Sequence, residues 1–262
     1  MIVKAKKSLG QNFLNDENTL KKIIDLDEIE SREILEIGPG TGNLTSHILN
    51  KNPKKMIVIE KDNNLTNLLK EKFNKKIEII NEDVLEVNEK EISKKKLIVF
   101  GNLPYNISTK ILTKWILGLN EKFWFDKMFL MFQKEVADRI ISKYNNSLYG
   151  RLTIIANWKL KIEKKFDIKP ECFSPKPKIE SSLLAFYPRE NFFKLSNAKN
   201  LEKITRIFFN ERRKMLKRPY KVIFGNNNNI AKDLNLNLNL RPQNLEPETY
   251  YKLTKFYEEL SN

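Results

Sequence analysis

The tetrapeptide Asn102-Leu103-Pro104-Tyr105 brings together three groups that could hold a planar amino group. It comes after Gly101 and an apolar run, Lys96 to Phe100, which is typical of a buried strand. An amide, a backbone carbonyl and an aromatic ring would then lie at one edge of a sheet, in a turn that proline stiffens by fixing φ. The ring could stack on a base. Taken alone, the tetrapeptide fits an ordinary turn at a strand end equally well.

A glycine loop, Glu36 to Gly42, follows the first predicted strand and precedes a predicted helix. Gly38, Gly40 and Gly42 allow the backbone to turn tightly and to pass close to a ligand. A nucleotide-like ligand would then lie at the carboxyl end of the strand, beside the helix N-terminus. The spacing is GxGxG rather than GxGxxG, and an acidic residue precedes it, so the loop indicates a dinucleotide only weakly.

Two carboxylates follow the next two predicted strands. Glu60 ends the second strand, about twenty residues beyond the loop, where a carboxylate can accept hydrogen bonds from both ribose hydroxyls. Asp83 follows the third strand and could accept a hydrogen bond from the amino group of an adenine. Each residue alone fits a solvated charge or a turn residue. Because the glycine loop, Glu60, Asp83 and Asn102 fall at the ends of four predicted strands, we expect them to form one site.

The composition limits the possible function classes. The 262 residues carry a formal net charge of +15, which favours a polyanion such as nucleic acid, although a lysine-rich surface alone would also produce it. One cysteine and one histidine exclude an internal disulfide and a Cys/His zinc site, and we expect no metal. No apolar run is long enough to span a membrane, and the N-terminal residues lack a signal-peptide stretch. The cytoplasm is therefore the expected compartment.

Short apolar runs alternate with amphipathic stretches over the first two thirds of the chain. This alternation predicts an α/β fold built on a mostly parallel sheet. Helices are predicted at Leu65 to Phe73 and at Thr109 to Leu119. The predicted strands are Glu33 to Ile37, Met56 to Glu60, Ile77 to Ile80, Leu97 to Phe100, Met128 to Phe132, Leu152 to Leu160 and Ser181 to Tyr187.

After Pro188 the apolar residues recur at helical spacing, and Pro247 to Leu260 predicts a terminal helix. We therefore expect a domain of residues 1–188 and a small, all-helical domain of residues 189–262. In the second domain, Phe208, Phe209 and Met215 are expected to face the core. It also contains a basic cluster, which consists of Arg206, Arg212, Arg213, Lys214, Lys217, Arg218 and Lys221.

Several motifs together give the chain a specific family resemblance. They are Leu9 to Leu14, Glu36 to Gly42, Gly101 to Thr109, Tyr149 to Leu152 and Phe173 to Ser182, and Arg212-Arg213-Lys214 also fits. With them the chain resembles the S-adenosylmethionine-dependent rRNA adenine N6-dimethyltransferases, more closely the KsgA type, which acts on small-subunit rRNA. The resemblance implies a Rossmann-like class I methyltransferase sheet of seven strands. It also implies dimethylation of two adjacent adenines in the 3′-terminal hairpin of that rRNA, during 30S subunit biogenesis.

The resemblance also implies roles for individual residues. Asn102 would accept a hydrogen bond from the target N6 and the Leu103 carbonyl a second one, in the turn that Pro104 stiffens. Tyr105 would stack on the target adenine, and Phe173 would be a second aromatic near it, although a core phenylalanine is the alternative. The residues implied to contact the methyl donor are Asn12, Leu14, Gly38, Gly40, Glu60, Asp83 and Asn102. The residues expected to bind RNA are Arg212, Arg213, Lys214, Lys217 and Arg218.

Three other functions share some of these features. The antibiotic-resistance type of enzyme methylates an adenine of large-subunit rRNA and has the same fold and most of the motifs. A DNA adenine methyltransferase fits less well, because its equivalent tetrapeptide usually has a second proline. A non-catalytic ribosome-assembly factor on the same fold would not need the donor-site residues. The preferred prediction is a cytoplasmic monomer that acts on an immature 30S particle.

Overall fold

The computed structural model describes residues 5–6, 10–119 and 121–261. Leu9 of the first motif and most of the first seven residues lie outside these ranges. The strands are β1 (Phe13–Leu14), β2 (Glu33–Ile37), β3 (Lys55–Ile59), β4 (Glu78–Ile80), β5 (Leu97–Asn102), β6 (Phe125–Gln133), β7 (Leu160–Ile168), β8 (Phe173–Ser174) and β9 (Ser181–Pro188). The α-helices are α1 (Glu17–Ile24), α2 (Asn43–Leu49), α3 (Asn63–Phe73), α4 (Glu89–Ile92), α5 (Ser108–Gly118), α6 (Lys134–Ile141), α7 (Arg151–Lys159), α8 (Ala198–Asn210), α9 (Lys217–Phe224), α10 (Asn229–Asp233) and α11 (Pro247–Ser261).

Seven of the strands form one sheet in the order β4-β3-β2-β5-β6-β9-β7. The pairs β2–β3, β3–β4, β2–β5 and β5–β6 are parallel, and β9 runs antiparallel to β6. The chain moves outward from β2 to β4 and then returns to β5 on the other side of β2. Open α/β sheets bind ligands at such a reversal, at the carboxyl ends of the strands. The expected mostly parallel, Rossmann-like sheet of seven strands is confirmed.

The hydrogen-bond register places the carboxyl ends of three strands level with one another. Ile37, the last residue of β2, pairs with Ile59 of β3 on one side and with Gly101 of β5 on the other. Glu60 and Asn102 come directly after these partners in the chain. The start of the glycine loop, Glu60 and Asn102 therefore lie along the same edge of the sheet.

Apolar side chains are buried on both faces of the sheet, which explains the continuous apolar runs in its strands. On one face, side chains from six strands of the sheet share a core with helices α1, α2 and α3. On the other face, the alternate residues of the central strands are buried too. Examples from this second set are Leu35, Ile57, Val99 and Leu130, all fully buried.

One predicted strand is wrong. Residues 151–159 form helix α7, and strand β7 begins only at Leu160. The helix is buried on most sides, and such a run has no periodicity that distinguishes a buried helix from a buried strand. Gly150 begins the helix, because its N–H donates to the Thr153 hydroxyl at 3.2 Å. Strand β7 is rich in charged residues and lies at the edge of the sheet, where such residues are common.

The chain divides into two compact units. The first unit contains residues 1–111, 120–137 and 162–188, and the second contains residues 112–119, 138–161 and 189–262. The chain passes from the first unit to the second for the last time between Pro188 and Arg189. A second domain that consists of residues 189–262 alone stays a prediction.

Aromatic side chains form much of the core of the second unit. The rings of Phe208 in α8 and Tyr250 in α11 meet edge to face, with 5.6 Å between their centroids. Contrary to expectation, Met215 does not join this core, since it is 55% exposed. Leu216 is fully buried instead, and its N–H donates to the Leu240 carbonyl at 2.8 Å. The turn between α8 and α9 therefore buries Leu216, which follows Met215 in the sequence.

Arg212 points into the second unit. Its Nη2 donates to the Tyr149 carbonyl at 2.9 Å, and its Nε donates to Gln243 Oε1 at 3.3 Å. These bonds join three segments that are far apart in the sequence. Arg213, the next residue, is exposed. The two adjacent arginines therefore have different surroundings.

Replacing Arg212 with Ala should lower the free energy of unfolding by about 1–3 kcal/mol, because the Tyr149 carbonyl loses a charged donor. The matched control is Arg213→Ala, which should change it by no more than about 0.5 kcal/mol. Urea unfolding followed by circular dichroism measures both variants. Equal effects of the two substitutions would show that the hydrogen bonds of Arg212 do not stabilise the fold.

Candidate active site

A cleft with a cavity volume of about 250 Å³ opens at the carboxyl edge of the sheet. Its walls come from the N-terminal segment (residues 10–14), the glycine loop, and the turns that follow β3, β4 and β5. Ten of the predicted site residues line this cleft: Asn12, Leu14, Gly38, Gly40, Glu60, Asp83, Asn102, Leu103, Pro104 and Tyr105. The fold thus brings the predicted donor-binding residues and the Asn102 to Tyr105 turn to one place.

The glycine loop has no room for a side chain at two positions. Gly40 has a φ of +59°, and a Cβ there would lie 2.6 Å from the ring of Phe13. Gly42 has a φ of +77°, and a Cβ there would lie 2.5 Å from the ring of Phe73. Positive φ and these close approaches both require glycine. The main chain of the loop is therefore open to a ligand in the cleft.

Lys72 of α3 supports the glycine loop, a contact that the sequence did not indicate. Its Nζ donates to the carbonyl oxygens of Thr41 at 3.1 Å and Gly42 at 3.4 Å. Burial lowers the pKa of Lys72. The lysine and the carbonyls are separated by about thirty residues, so no local sequence pattern links them.

Glu60 is 7% exposed, and main-chain groups hold its carboxylate. Oε1 accepts a hydrogen bond from the N–H of Asp62 at 2.9 Å, and Oε2 accepts one from the N–H of Gly40 at 3.4 Å. Burial raises the pKa of Glu60, while these two N–H groups act in the opposite direction. Each carboxylate oxygen can accept a further hydrogen bond, so Glu60 can bind hydroxyl groups in the cleft.

Asp62 ties the N-terminal segment to this side of the cleft. Its carboxylate accepts hydrogen bonds from Lys6 Nζ at 2.8 Å and from Gln11 Nε2 at 3.2 Å. It also caps α3 by accepting a bond from the N–H of Asn64 at 3.0 Å. Burial acts against ionisation, but the hydrogen bonds, that from Lys6 first, lower the pKa of Asp62. An Asp directly before a helix is a typical N-cap, so the sequence can predict the bond to Asn64. No sequence pattern indicates the hydrogen bonds from Lys6 and Gln11.

Asp83 lies at the rim of the cleft and is held as an ionised acceptor. Its Oδ2 accepts a hydrogen bond from Lys61 Nζ at 2.7 Å, and its Oδ1 accepts one from the N–H of Leu85 at 2.9 Å. The bond from Lys61 is the main reason that the pKa of Asp83 is lowered. An ionised carboxylate at this position can accept a hydrogen bond from an amino group.

Asn102 at the end of β5 has a fixed side chain. Its Nδ2 donates to the main-chain carbonyl of Asn12 at 2.7 Å. Within the described part of the chain, its Oδ1 has no hydrogen-bond partner, so it is the atom that can accept a bond from a group entering the cleft. The turn beyond it is held by the Pro104 carbonyl, which accepts bonds from the N–H groups of Ile107 at 3.1 Å and Ser108 at 2.9 Å.

The ring of Tyr105 is half-buried in the cleft wall. Its hydroxyl lies 2.6 Å from Oγ of Ser181, a contact that the sequence did not indicate. Burial raises the pKa of Tyr105. The phenol is therefore neutral at neutral pH, and its ring presents an uncharged aromatic surface.

Phe173 does not lie in the cleft. It is 4% exposed, belongs to the core beneath the sheet, and in strand β8 pairs with Leu14 of β1. The contact supports the N-terminal segment. A role for Phe173 as a second aromatic beside the substrate stays a prediction.

Glu36 is a buried carboxylate in the cleft wall, at 2% exposure. Its Oε2 accepts a hydrogen bond from the hydroxyl of Thr45 at 2.6 Å. Burial raises the pKa of Glu36 to about 7; the Thr45 bond opposes this rise and the charge of Glu60 adds to it. Glu36 therefore titrates near neutral pH.

A family model described as ribosomal RNA adenine dimethylase matches residues 2–259 of the chain. The chain belongs to this family. A ribosomal RNA small subunit methyltransferase A from Pelagibacter ubique (strain HTCC1062) is 63% identical to it over 260 residues, which cover 99% of each chain. The protein is thus an enzyme of the rRNA adenine dimethylase family, with the class I methyltransferase sheet that was expected.

Two solved structures have the same fold over nearly the whole chain. A dimethyladenosine transferase from Plasmodium falciparum superposes with a TM-score of 0.80 at 27% identity, covering 95% of this chain and 98% of that one. The 23S rRNA methyltransferase ErmE superposes with a TM-score of 0.65 at 22% identity, covering 96% of this chain and 100% of that one. At that identity, the likeness to ErmE shows the fold alone.

Two other kinds of feature are absent from the part of the chain that the structure describes. No group of three or more His, Cys, Asp and Glu side chains there could hold a metal ion. No helix there is both long enough and apolar enough to cross a membrane.

Replacing Gly40 with Ala should weaken binding of the methyl donor by about tenfold or more. The loop must move to relieve about 1–3 kcal/mol of backbone strain and the clash with Phe13, and it must return to the strained conformation to bind the donor. The control is Gly118→Ala at the end of α5, where a Cβ would meet nothing within 4 Å. Isothermal titration calorimetry with S-adenosylmethionine measures both variants. Wild-type affinity in Gly40→Ala would show that the loop does not approach the donor.

Glu36 should make stability depend on pH. Its folded-state pKa of about 7 lies above its ordinary value of 4.5, so the folded protein holds a proton that the unfolded chain releases. The stabilisation is complete below about pH 4.5 and is lost as the pH rises to about 7. Between pH 5 and 8, the wild type should therefore lose about 2–3 kcal/mol of unfolding free energy relative to Glu36→Gln.

Urea unfolding at several pH values measures this difference. Glu30→Gln is the control, since it makes the same substitution at an exposed position. A difference between the wild type and Glu36→Gln that stays constant with pH would contradict the raised pKa of Glu36.

Proposed function

We propose that the protein transfers methyl groups from S-adenosylmethionine to N6 of two adjacent adenines in the 3′-terminal hairpin of small-subunit rRNA. The proposed substrate is an immature 30S particle, and the proposed working form is a cytoplasmic monomer. Family membership and the 63% identical small subunit methyltransferase support the choice of small-subunit rRNA. The single observation that carries the proposal is that the Asn102 oxygen and the glycine loop share one cleft.

The residues around the glycine loop fit a nucleoside-containing donor. Glu60 offers carboxylate oxygens for a ribose diol, Asp83 offers an acceptor for an adenine amino group, and Gly40 leaves the main chain open for close approach. Gly38, Asn12 and Leu14 complete the wall. When bound, S-adenosylmethionine would supply the methyl group of its sulfonium, and the neutral thioether S-adenosylhomocysteine would be the leaving group. The methylated N6 would then release one proton to solvent. The protein needs only to hold the donor and the acceptor in line.

The turn after β5 would act on the acceptor. The N6 lone pair of adenine is delocalised into the ring, which makes the nitrogen a poor nucleophile. Asn102 Oδ1 and the Leu103 carbonyl would accept hydrogen bonds from the two N6–H groups, and Tyr105 would stack on the base. Two fixed acceptors can pull the nitrogen toward tetrahedral geometry and direct its lone pair at the methyl group, which is catalysis by orientation and electrostatics.

A basic surface of the second unit is proposed to bind the rRNA backbone. Arg213, Lys214, Lys217 and Arg218 are exposed, and they line a concave surface together with Arg241, Asn239 and Met215. Arg241 was not among the predicted residues; main-chain hydrogen bonds from Leu216 and Lys217 to the loop before it bring it there. Arg218 pairs with Glu211 at 2.7 Å, and Arg212 is bonded to Tyr149 and Gln243. Arg213, Lys214 and Lys217 are therefore the stronger candidates.

The substrate can be tested by incubating the protein with labelled S-adenosylmethionine and immature 30S particles, 50S particles, free rRNA or DNA. We expect label at N6 of adjacent adenines in small-subunit rRNA, identified by mapping the modified nucleotides. Label in 50S particles alone would favour the antibiotic-resistance type of enzyme. Label in none of the four would favour a non-catalytic assembly factor.

In the same assay, Tyr105→Ala should lower turnover at least about a hundredfold, since loss of base stacking misplaces the acceptor. Its affinity for S-adenosylmethionine should stay within about twofold of wild type, because the glycine loop and Glu60 are unchanged. Wild-type turnover would remove the proposed stacking role.

Replacing Arg213, Lys214 and Lys217 together with Ala should weaken rRNA binding and reduce its salt dependence. If all three contact phosphates, the slope of log K against log salt should become shallower by about 2–3. A filter-binding titration at several salt concentrations measures this slope.

The matched control replaces three exposed lysines in and after α3, Lys70, Lys75 and Lys76, with Ala. It removes the same amount of positive charge, but from the first unit. This variant should keep the wild-type slope. If both triple variants reduce the slope equally, net charge rather than the proposed surface attracts the RNA.

A further inference from the structure

The hydroxyl of Tyr105 is anchored to a rigid part of the sheet. It lies 2.6 Å from Oγ of Ser181, which is fully buried. Ser181 is the first residue of β9 and pairs with Gln133, the last residue of β6. The anchoring hydroxyl is therefore carried by a residue whose main chain is paired in the sheet, and it is attached to that main chain by a single Cβ.

A tyrosine ring that is attached only by its Cα can rotate about two bonds. The main chain of Tyr105 is held by the turn in which the Pro104 carbonyl accepts two N–H groups. The hydroxyl, at the opposite end of the ring, is held by Ser181. Fixing both ends of the ring fixes the direction of its long axis and so holds the ring beside Asn102.

We propose that Ser181 is a positioning residue for the reaction, because its hydroxyl holds the Tyr105 ring at the place beside Asn102 where the target adenine stacks. The proposal rests on the proposed function, in which Tyr105 stacks on that adenine. Ser181 itself lies outside the cleft lining and acts only through Tyr105.

The neighbouring serine provides a matched control. Ser182 is as fully buried as Ser181, but its hydroxyl donates to Asp167 Oδ1 at 2.5 Å. Successive residues of a strand point to opposite faces, so the two hydroxyls are directed away from each other. Ser181→Ala and Ser182→Ala therefore remove the same atom at the same depth, and only the first removes a contact with Tyr105.

A double-mutant cycle tests the proposal, with kcat and KM for rRNA measured for Ser181→Ala, Tyr105→Phe and the double variant. Each single variant should lower kcat/KM by about three- to tenfold, because a hydrogen bond that orients the acceptor is lost. The double variant should lose no more than either single variant, since both substitutions break one bond. Affinity for S-adenosylmethionine should stay at the wild-type value throughout, and Ser182→Ala should keep wild-type kcat/KM.

Multiplicative losses in the double variant, or equal losses in Ser181→Ala and Ser182→Ala, would overturn the proposal and indicate a packing role. If Ser181→Ala does not fold, Tyr105→Phe alone still tests the proposal. Wild-type kcat/KM in Tyr105→Phe would also overturn it. Tyr105→Ala separates this inference from the proposed function. A large loss in Tyr105→Ala with none in Tyr105→Phe leaves the stacking role in place and removes only that of Ser181, whereas wild-type activity in Tyr105→Ala removes both.

Discussion

Register in a parallel sheet is fixed by packing on both faces, because a slip of one residue would turn every side chain to the opposite face. In this protein Ile37 pairs with Ile59 and with Gly101, so the three strands end within one residue of one another. Glu60 follows β3 directly, and Asn102 is the last residue of β5. Their relative position is thus set by the burial of apolar residues along whole strands, and no contact within the cleft is needed to hold it.

The N-terminal segment adds a second constraint, since it touches both sides of the cleft. Gln11 donates to Asp62 beside Glu60, and the Asn12 carbonyl accepts the bond that fixes the Asn102 amide. Phe13 packs where a side chain on Gly40 would lie. Asn102, which is proposed to hold the acceptor nitrogen, is therefore oriented by the N-terminal segment. The same segment packs against the glycine loop, so the geometries of the two sides of the cleft are coupled.

Sequence reasoning found the parts of the site that depend on local pattern. The Gly40 loop, Glu60 and Asn102 could be predicted because each directly follows a strand, and the order of the strands brings them together. Lys72 and Ser181 could not, because each acts through a contact with a residue thirty or more positions away. The sequence predicts a strand where residues 151–159 form a helix, since a run that is buried on most sides shows neither the helical nor the strand period.

The buried carboxylates Glu36 and Glu60 show how the cleft is prepared for a cationic ligand. Burial raises the pKa of both groups, which means that their ionised forms are unfavourable in the protein alone. A ligand that brings positive charge into the cleft favours the ionised forms and so lowers both pKa values. Because linkage is reciprocal, the affinity for such a ligand must fall as the pH drops below about 7, where Glu36 takes up its proton. In the proposed reaction a sulfonium would carry this charge before methyl transfer and lose it afterwards, so the same carboxylates would favour the donor over the product.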